Sequence, residues 1–171
     1  MNVFGRRTPF VVDTNILVVA NRKQAEPLAC ANSCAQVLFR IKQAGLVVLD
    51  DGGRIWREYR RYLAHSGQPG IGDSFFRWLF NNRARGDLVV AVSITSRDED
   101  PSDFLEFPNS LALQGFDRAD RKFVAVARSH GGNPAILNAT DRDWWDYRDA
   151  LLAVGITIQF VCPEQFRRTD D

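Results

Sequence analysis

The chain has 171 residues, 45% of them hydrophobic and 25% charged, with 22 basic side chains against 21 acidic ones and a formal net charge of +1. A domain typically runs to ~100–200 residues, so residues 1–171 are expected to form one globular domain, with little room for a second. The near-neutral sum excludes polyanion binding through bulk charge, but not a local basic patch.

The elements alternate along the chain. Phe10-Val11-Val12 reads as a buried strand, Leu28 to Ala44 as a helix, and Gly45 to Leu49 as a second strand. A helix is expected from about Asp51 to His65, a turn over 66–70 and another helix around Asp73 to Asn82. Val-rich Leu88 to Ile94 reads as a third strand, and residues 96–115 as a polar, exposed loop insertion. The next helix, Asp117 to His130, meets a stop at Gly131-Gly132-Asn133-Pro134. Ala135 to Leu137, Asp143 to Val154 and Ile156 to Phe160 complete the series as strand, helix and strand. Such alternation predicts an α/β fold, three layers α/β/α around a central five-stranded, mostly parallel sheet. Its site should lie beyond the carboxyl ends of the strands.

Cys30, Cys34 and Cys162 are an odd, sparse set that implies no disulfide framework; Cys30 and Cys34 share a helical face with no His or further Cys near to complete a zinc tetrad, and are expected to be small packing residues. The N-terminal Met-Asn-Val-Phe-Gly-Arg-Arg carries no signal-like apolar run, and no stretch approaches the ~18–20 apolar residues of a membrane span. A cytoplasmic protein without membrane contact is expected.

Asp13 follows the first strand and Asp141 the fourth, so both fall on one edge of the sheet. Each has a simpler explanation as a helix N-cap. Glu58 lies at the border of an apolar arc of Ile55, Trp56, Tyr59, Tyr62 and Leu63, within helical reach of Arg54 and Arg61. Asp120 falls among Phe116, Phe123, Val124 and Ala127 on the face that should be buried, where an unpaired carboxylate is expensive. A capping box with Asp117 as N-cap and Asp120 at N3 is the competing account. Four carboxylates without His or Cys suit Mg²⁺ or Mn²⁺. Such an ion can activate water for phosphodiester hydrolysis.

Val11-Val12-Asp13-Thr14-Asn15, Glu58 on a helix, Asp120 before Phe123-Val124-Ala125-Val126-Ala127, and Thr140-Asp141-Arg142-Asp143-Trp144 together resemble the four acidic motifs of PIN-domain ribonucleases, over about Val11 to Cys162. The resemblance implies that Asp13, Glu58, Asp120 and Asp141 are catalytic, metal-binding acids. Asp117 would be auxiliary to Asp120, Asp143 an alternative or auxiliary to Asp141, and Thr14 or Asn15 a polar contact. It also implies cleavage of single-stranded RNA and a homodimer and, by likeness to compact VapC-type toxins, an antitoxin partner. The segment 96–115 is longer than the matching connection in compact toxins, and Asn138-Ala139-Thr140-Asp141 is spaced one residue from the usual pattern. The runner-up is a PIN-like RNA- or protein-binding module with little or no turnover.

Nineteen of the basic residues are Arg, which makes planar bidentate contacts to phosphate; a genome biased towards Arg codons accounts for the count as well. Arg54, Arg57, Arg60 and Arg61 surround Glu58, while Arg118, Arg121 and Lys122 surround Asp120, so a basic rim for RNA around an acidic pocket is expected. Trp144 and Trp145 could stack bases, with core packing the simpler role for at least one. A dehalogenase-type phosphatase needs Asp-x-Asp where this chain has Asn15. A phosphoreceiver would place its acidic pair after the first strand, whereas Asp50-Asp51 follows the second.

Overall fold

The structure, a computed structural model, describes residues 6–23, 26–97 and 100–167. Residues 1–5, which hold most of the N-terminal stretch read for a signal, and 98–99 of the expected loop lie outside them.

Five parallel strands form the central sheet in the order β3-β2-β1-β6-β7: β1 (Thr8–Val12), β2 (Gly45–Asp50), β3 (Val89–Val92), β6 (Ala135–Asn138) and β7 (Ile158–Phe160). The expected α/β/α architecture is present, and the sheet is wholly rather than mostly parallel. Strands covered on both faces read as continuous apolar runs, and Val11, Val12, Val47, Val48, Ile136 and Leu137 are fully buried. The chain steps outward from β1 to β3, then returns to β6 on the other side of β1. The crevice above the ends of β1 and β6 is therefore the topological switch point, where ligands of open α/β sheets bind.

Helices α2 (Leu28–Ala44), α3 (Arg54–Tyr62) and α4 (Ile71–Asn82) fall within or on the expected segments. Tyr62, expected on the apolar arc of α3, is exposed. Helix α1 (Thr14–Ala20) is an addition to the expected elements, because Ile16-Leu17-Val18-Val19 reads equally well as strand. It is apolar nearly all round because α2 and α4 enclose it. Helix α5 (Arg121–His130) starts four residues later than expected, since 117–120 form a turn, and it ends as expected at Gly131, whose φ of 73° is the left-handed conformation of a helix stop. The expected 143–154 helix is two short ones, α6 (Arg142–Asp146) and α7 (Arg148–Ala153); a final helix, α8 (Glu164–Arg167), follows β7.

The expected loop at 96–115 is instead structured. It contains an antiparallel hairpin, β4 (Ser96–Arg97) and β5 (Asp100–Phe104), and a 3₁₀ turn at Leu111–Leu113. Alternating charged residues hid the apolar anchors Phe104, Phe107, Leu113 and Phe116, all buried. Phe116 packs edge-on against fully buried Trp144 with centroids 4.9 Å apart. Trp145 stacks on Phe166 at 4.6 Å, so both tryptophans serve the packing.

The cysteines need a second correction. Cys30 and Cys162 form a disulfide across a separation of 132 residues, joining α2 to the segment after β7. Only Cys34 is a free buried thiol, and burial pushes its pKa up to about 12. No local spacing announces a pair so distant in sequence. Closing a loop of that length restricts the unfolded chain, so Cys162→Ser should lose about 2–5 kcal/mol. Urea unfolding with and without reductant checks this, and equal midpoints for variant and oxidised wild type would refute it.

Candidate metal and phosphodiester site

The end of β1 delivers Asp13, whose carboxylate caps α1 by accepting from Asn15 N at 3.1 Å. Its other oxygen accepts from Asn138 Nδ2 at 3.2 Å. Asn138, at the end of β6, also accepts from Asp141 N at 3.2 Å through Oδ1, and Asp141 caps α6 by accepting from Asp143 N at 2.9 Å. The N-cap explanation therefore holds for both Asp13 and Asp141, and it leaves each an oxygen for other work.

Asp120 is different. It occupies the position before α5, and its carbonyl accepts from Phe123 N at 3.0 Å, yet its carboxylate makes no cap bond and accepts no hydrogen bond from the described residues. The expected capping box is absent: Asp117 Oδ1 accepts only from Ala119 N, at 2.9 Å, within the turn. Asp120 is 9% exposed and Asp13 4%. Asp13, Asp120 and Asp141 each offer an oxygen, and the three lie within 4.8 Å of one another. Oxygens around one Mg²⁺ are at most ~4.2 Å apart, twice the ~2.1 Å bond length, so a small inward movement would let the triad share an ion. The all-oxygen donor set fits Mg²⁺ or Mn²⁺.

Glu58 stands beside this triad rather than within it. Its Oε1 accepts from Thr14 Oγ1 at 2.5 Å and its Oε2 meets Lys122 Nζ at 2.5 Å. Lys122, expected on the rim, is instead a nearly buried ammonium that also donates to Ala119 O and offsets the charges of Asp13 and Asp120. Asp143 and Asp117 lie outside the triad, joined by Asp117 N donating to Asp143 Oδ2 at 2.8 Å. The triad takes Asp141, not Asp143, as its third acid. Asn15 accepts from Ala139 N through Oδ1 at 2.9 Å, and its buried Nδ2 has no partner among the described residues.

Of the basic residues expected at the rim, Arg121 is turned away. It is buried, with Nη1 on Asp103 at 3.0 Å, Nη2 on Gln114 O at 2.8 Å and its guanidinium over Phe107 at 4.5 Å. It anchors the 96–116 segment to α5 and offers little to a ligand. Arg54, Arg57, Arg61, Arg118 and Lys122 do share one cavity beside Glu58. Two residues that sequence reasoning passed over belong to the site: Asn138, and fully buried Tyr59, whose hydroxyl donates to Val12 O. Asn138 carried a readable signal, a polar residue at the very end of an apolar strand.

Charge crowding dominates the electrostatics. Burial raises Asp13 to about 7, with Asp141 and Glu58 adding to the rise and Asn15 N and Lys122 opposing it. Burial likewise raises Asp120 to about 9, with Asp13 and Asp141 contributing. Asp141 is raised too, by burial and by Asp143 and Asp117. No family model, curated protein or solved structure matches the chain.

Because these carboxyls hold protons more tightly folded than unfolded, their contribution to stability is complete below the unfolded value of 3.8 and is lost as pH rises through about 7 and about 9. Urea midpoints should fall between about pH 5 and about pH 9 for the wild type and less steeply for Asp120→Asn, which should be the more stable at the alkaline end. A saturating divalent cation should oppose the fall, adding about 2.7 kcal/mol at a hundredfold excess over its dissociation constant. Parallel pH profiles for the two proteins would refute the crowding account.

Proposed function

We propose that the protein is a divalent-metal-dependent endoribonuclease of the PIN-like type, hydrolysing phosphodiester bonds of single-stranded RNA. The observation that carries this reading is the convergence of Asp13, Asp120 and Asp141 at the switch point, with the Asp120 carboxylate accepting no hydrogen bond from the described residues. Like charges gathered there cost stability, and a metal ion would offset that cost. Asp13, Asp120 and Asp141 would hold Mg²⁺ or Mn²⁺, which would supply an activated water and stabilise charge on the phosphoryl oxygens.

The other residues have distinct parts in this reading. Asn138 orients Asp13 and Asp141 together, while Thr14 and Lys122 fix Glu58 at the edge of the triad. The unpartnered Asn15 Nδ2 is a donor for water or a phosphate oxygen. Asp117 and Asp143 hold the 117–120 turn against the start of α6 and so position Asp120. No described helix is long and apolar enough to cross a membrane. With a cytoplasmic location the substrate would be cellular RNA, and Cys30 and Cys162 would then be held largely reduced.

One observation favours the binding-module reading: Glu58 is already satisfied by Thr14 and Lys122, as expected of a site that holds charge without turning over. Purified protein should cut a generic single-stranded RNA with Mn²⁺, and Asp13→Asn or Asp120→Asn should lower the rate by about 100- to 1,000-fold, the range for a lost electrostatic stabiliser. Equal rates in the variants would sink the nuclease. Calorimetry showing no Mn²⁺ binding alongside specific RNA or protein binding would favour the module.

A further inference from the structure

The cavity between α3 and the β4–β5 hairpin has a volume of about 380 Å³ and is lined by Arg54, Arg57, Arg61, Arg118 and Lys122 with a single carboxylate, Glu58. The hairpin closes its far side through Pro101, Ser102 and Phe104. Its cations differ in how firmly they are held. Arg54 is fixed by Asp50 at 3.8 Å, by Ser96 Oγ at 2.9 Å and over the Phe104 ring at 5.3 Å. Lys122 belongs to Glu58, and Arg118 pairs with Asp100 on the hairpin.

Arg57 and Arg61 have no carboxylate partner among the described residues; Arg57 donates only to Gly52 O, at 3.0 Å. They stand one turn apart on one helix, with Arg54 a turn before Arg57, so three like charges are stacked at spacings that repel. Packing does not require them, since Ile55 and Tyr59 bury the opposite side of α3 and both arginines are exposed. A row of repelling guanidiniums facing a cavity walled by a rigid cation and a hairpin is complementary to a multiply charged oxyanion.

We infer that this cavity is a phosphate subsite separate from the carboxylate triad, in which Arg57 and Arg61 grip a phosphate of single-stranded RNA against the fixed Arg54. Arg118 joins them by exchanging Asp100 for the ligand. The inference rests on the nuclease reading only for the polymer that carries the phosphate. Glu58 and Lys122 form the boundary, since both line the cavity and Lys122 also acts on Asp13 and Asp120. A strand held here would therefore lie on the side of Glu58 and Lys122 away from the triad's acids. The hairpin, expected from sequence to be a bare loop, is what makes the open arginine face of α3 into a pocket.

The test uses the full chain in EDTA, so that binding is read without turnover. Probes are roughly eight-nucleotide single-stranded RNAs with a 3′ fluorophore and either a 5′-phosphate or a 5′-hydroxyl. Arg57→Gln/Arg61→Gln should raise Kd about tenfold or more, and the slope of log K against log salt should become shallower by roughly 0.7 for each phosphate that the variant no longer neutralises. Arg83→Gln, just past the end of α4 and outside the cavity lining, should bind as wild type. A strong preference for the 5′-phosphate assigns the subsite to a strand terminus, and equal affinity for both probes assigns it to an internal phosphate. Wild-type affinity and salt slope in the double variant, or no binding by the wild type, overturn the subsite. Wild-type protein that fails to cut single-stranded RNA with Mn²⁺ yet binds it in EDTA in the same arginine-dependent way would sink the nuclease reading and leave the subsite standing.

Discussion

Bringing two buried carboxylates and a half-buried third within reach of one another is costly in any protein, and much of the polar structure around β1 and β6 here is organised around that cost. The parallel sheet brings the ends of β1 and β6 side by side, and the turn before α5 lowers Asp120 between them. Each remaining polar group answers the resulting repulsion. Asn138 donates to one carboxylate and accepts from the backbone of the residue carrying another, helix N-termini solvate Asp13 and Asp141, and Lys122 places one positive charge alongside. Within the triad, the carboxylate of Asp120 alone accepts no hydrogen bond from the described residues. One ammonium against four carboxylates, when it is already bound to Glu58, leaves the triad with excess negative charge that protons or a metal ion must neutralise.

The arginines divide by the same reasoning. Arg121 and Arg54 are spent on architecture, the first tying the 96–116 segment to α5 and the second tying the hairpin to the start of α3. Asp50 completes that arrangement, capping α3 through Arg54 N at 2.7 Å and Ile55 N at 2.9 Å. This use of both carboxylate oxygens leaves Asp50, the last residue of β2, unsuited to act as a phosphoacceptor. Arg57 and Arg61, one helical turn apart and without such ties among the described residues, keep a charge that the fold itself does not consume.

The hairpin shows how polar patterning can mislead. Asp98, Glu99 and Asp100 with their neighbours look like a solvated loop, and charge density is ordinarily a sound sign of one. Yet Phe104, Phe107 and Phe116, spaced too irregularly for either strand or helix periodicity, reach the core and carry the segment with them. Charge pairs Arg97–Asp103 and Arg118–Asp100 then hold a short two-stranded ribbon that hydrophobicity alone would not stabilise.

The alternation of strands and helices is legible in the chain itself, and with it the parallel sheet and the edge on which Asp13 and Asp141 appear, because strand and helix periods are local properties. Asp120 is legible too, since a carboxylate among Phe116, Phe123 and Val124 is anomalous at any tertiary arrangement. The folded arrangement was needed to establish that Asp141 rather than Asp143 meets the triad, that Lys122 is a counter-ion and Arg121 an anchor, and that Cys30 meets Cys162. Those outcomes depend on which residues remote in sequence come within a few ångströms, and no periodicity encodes a distance between elements that touch only after the sheet has closed.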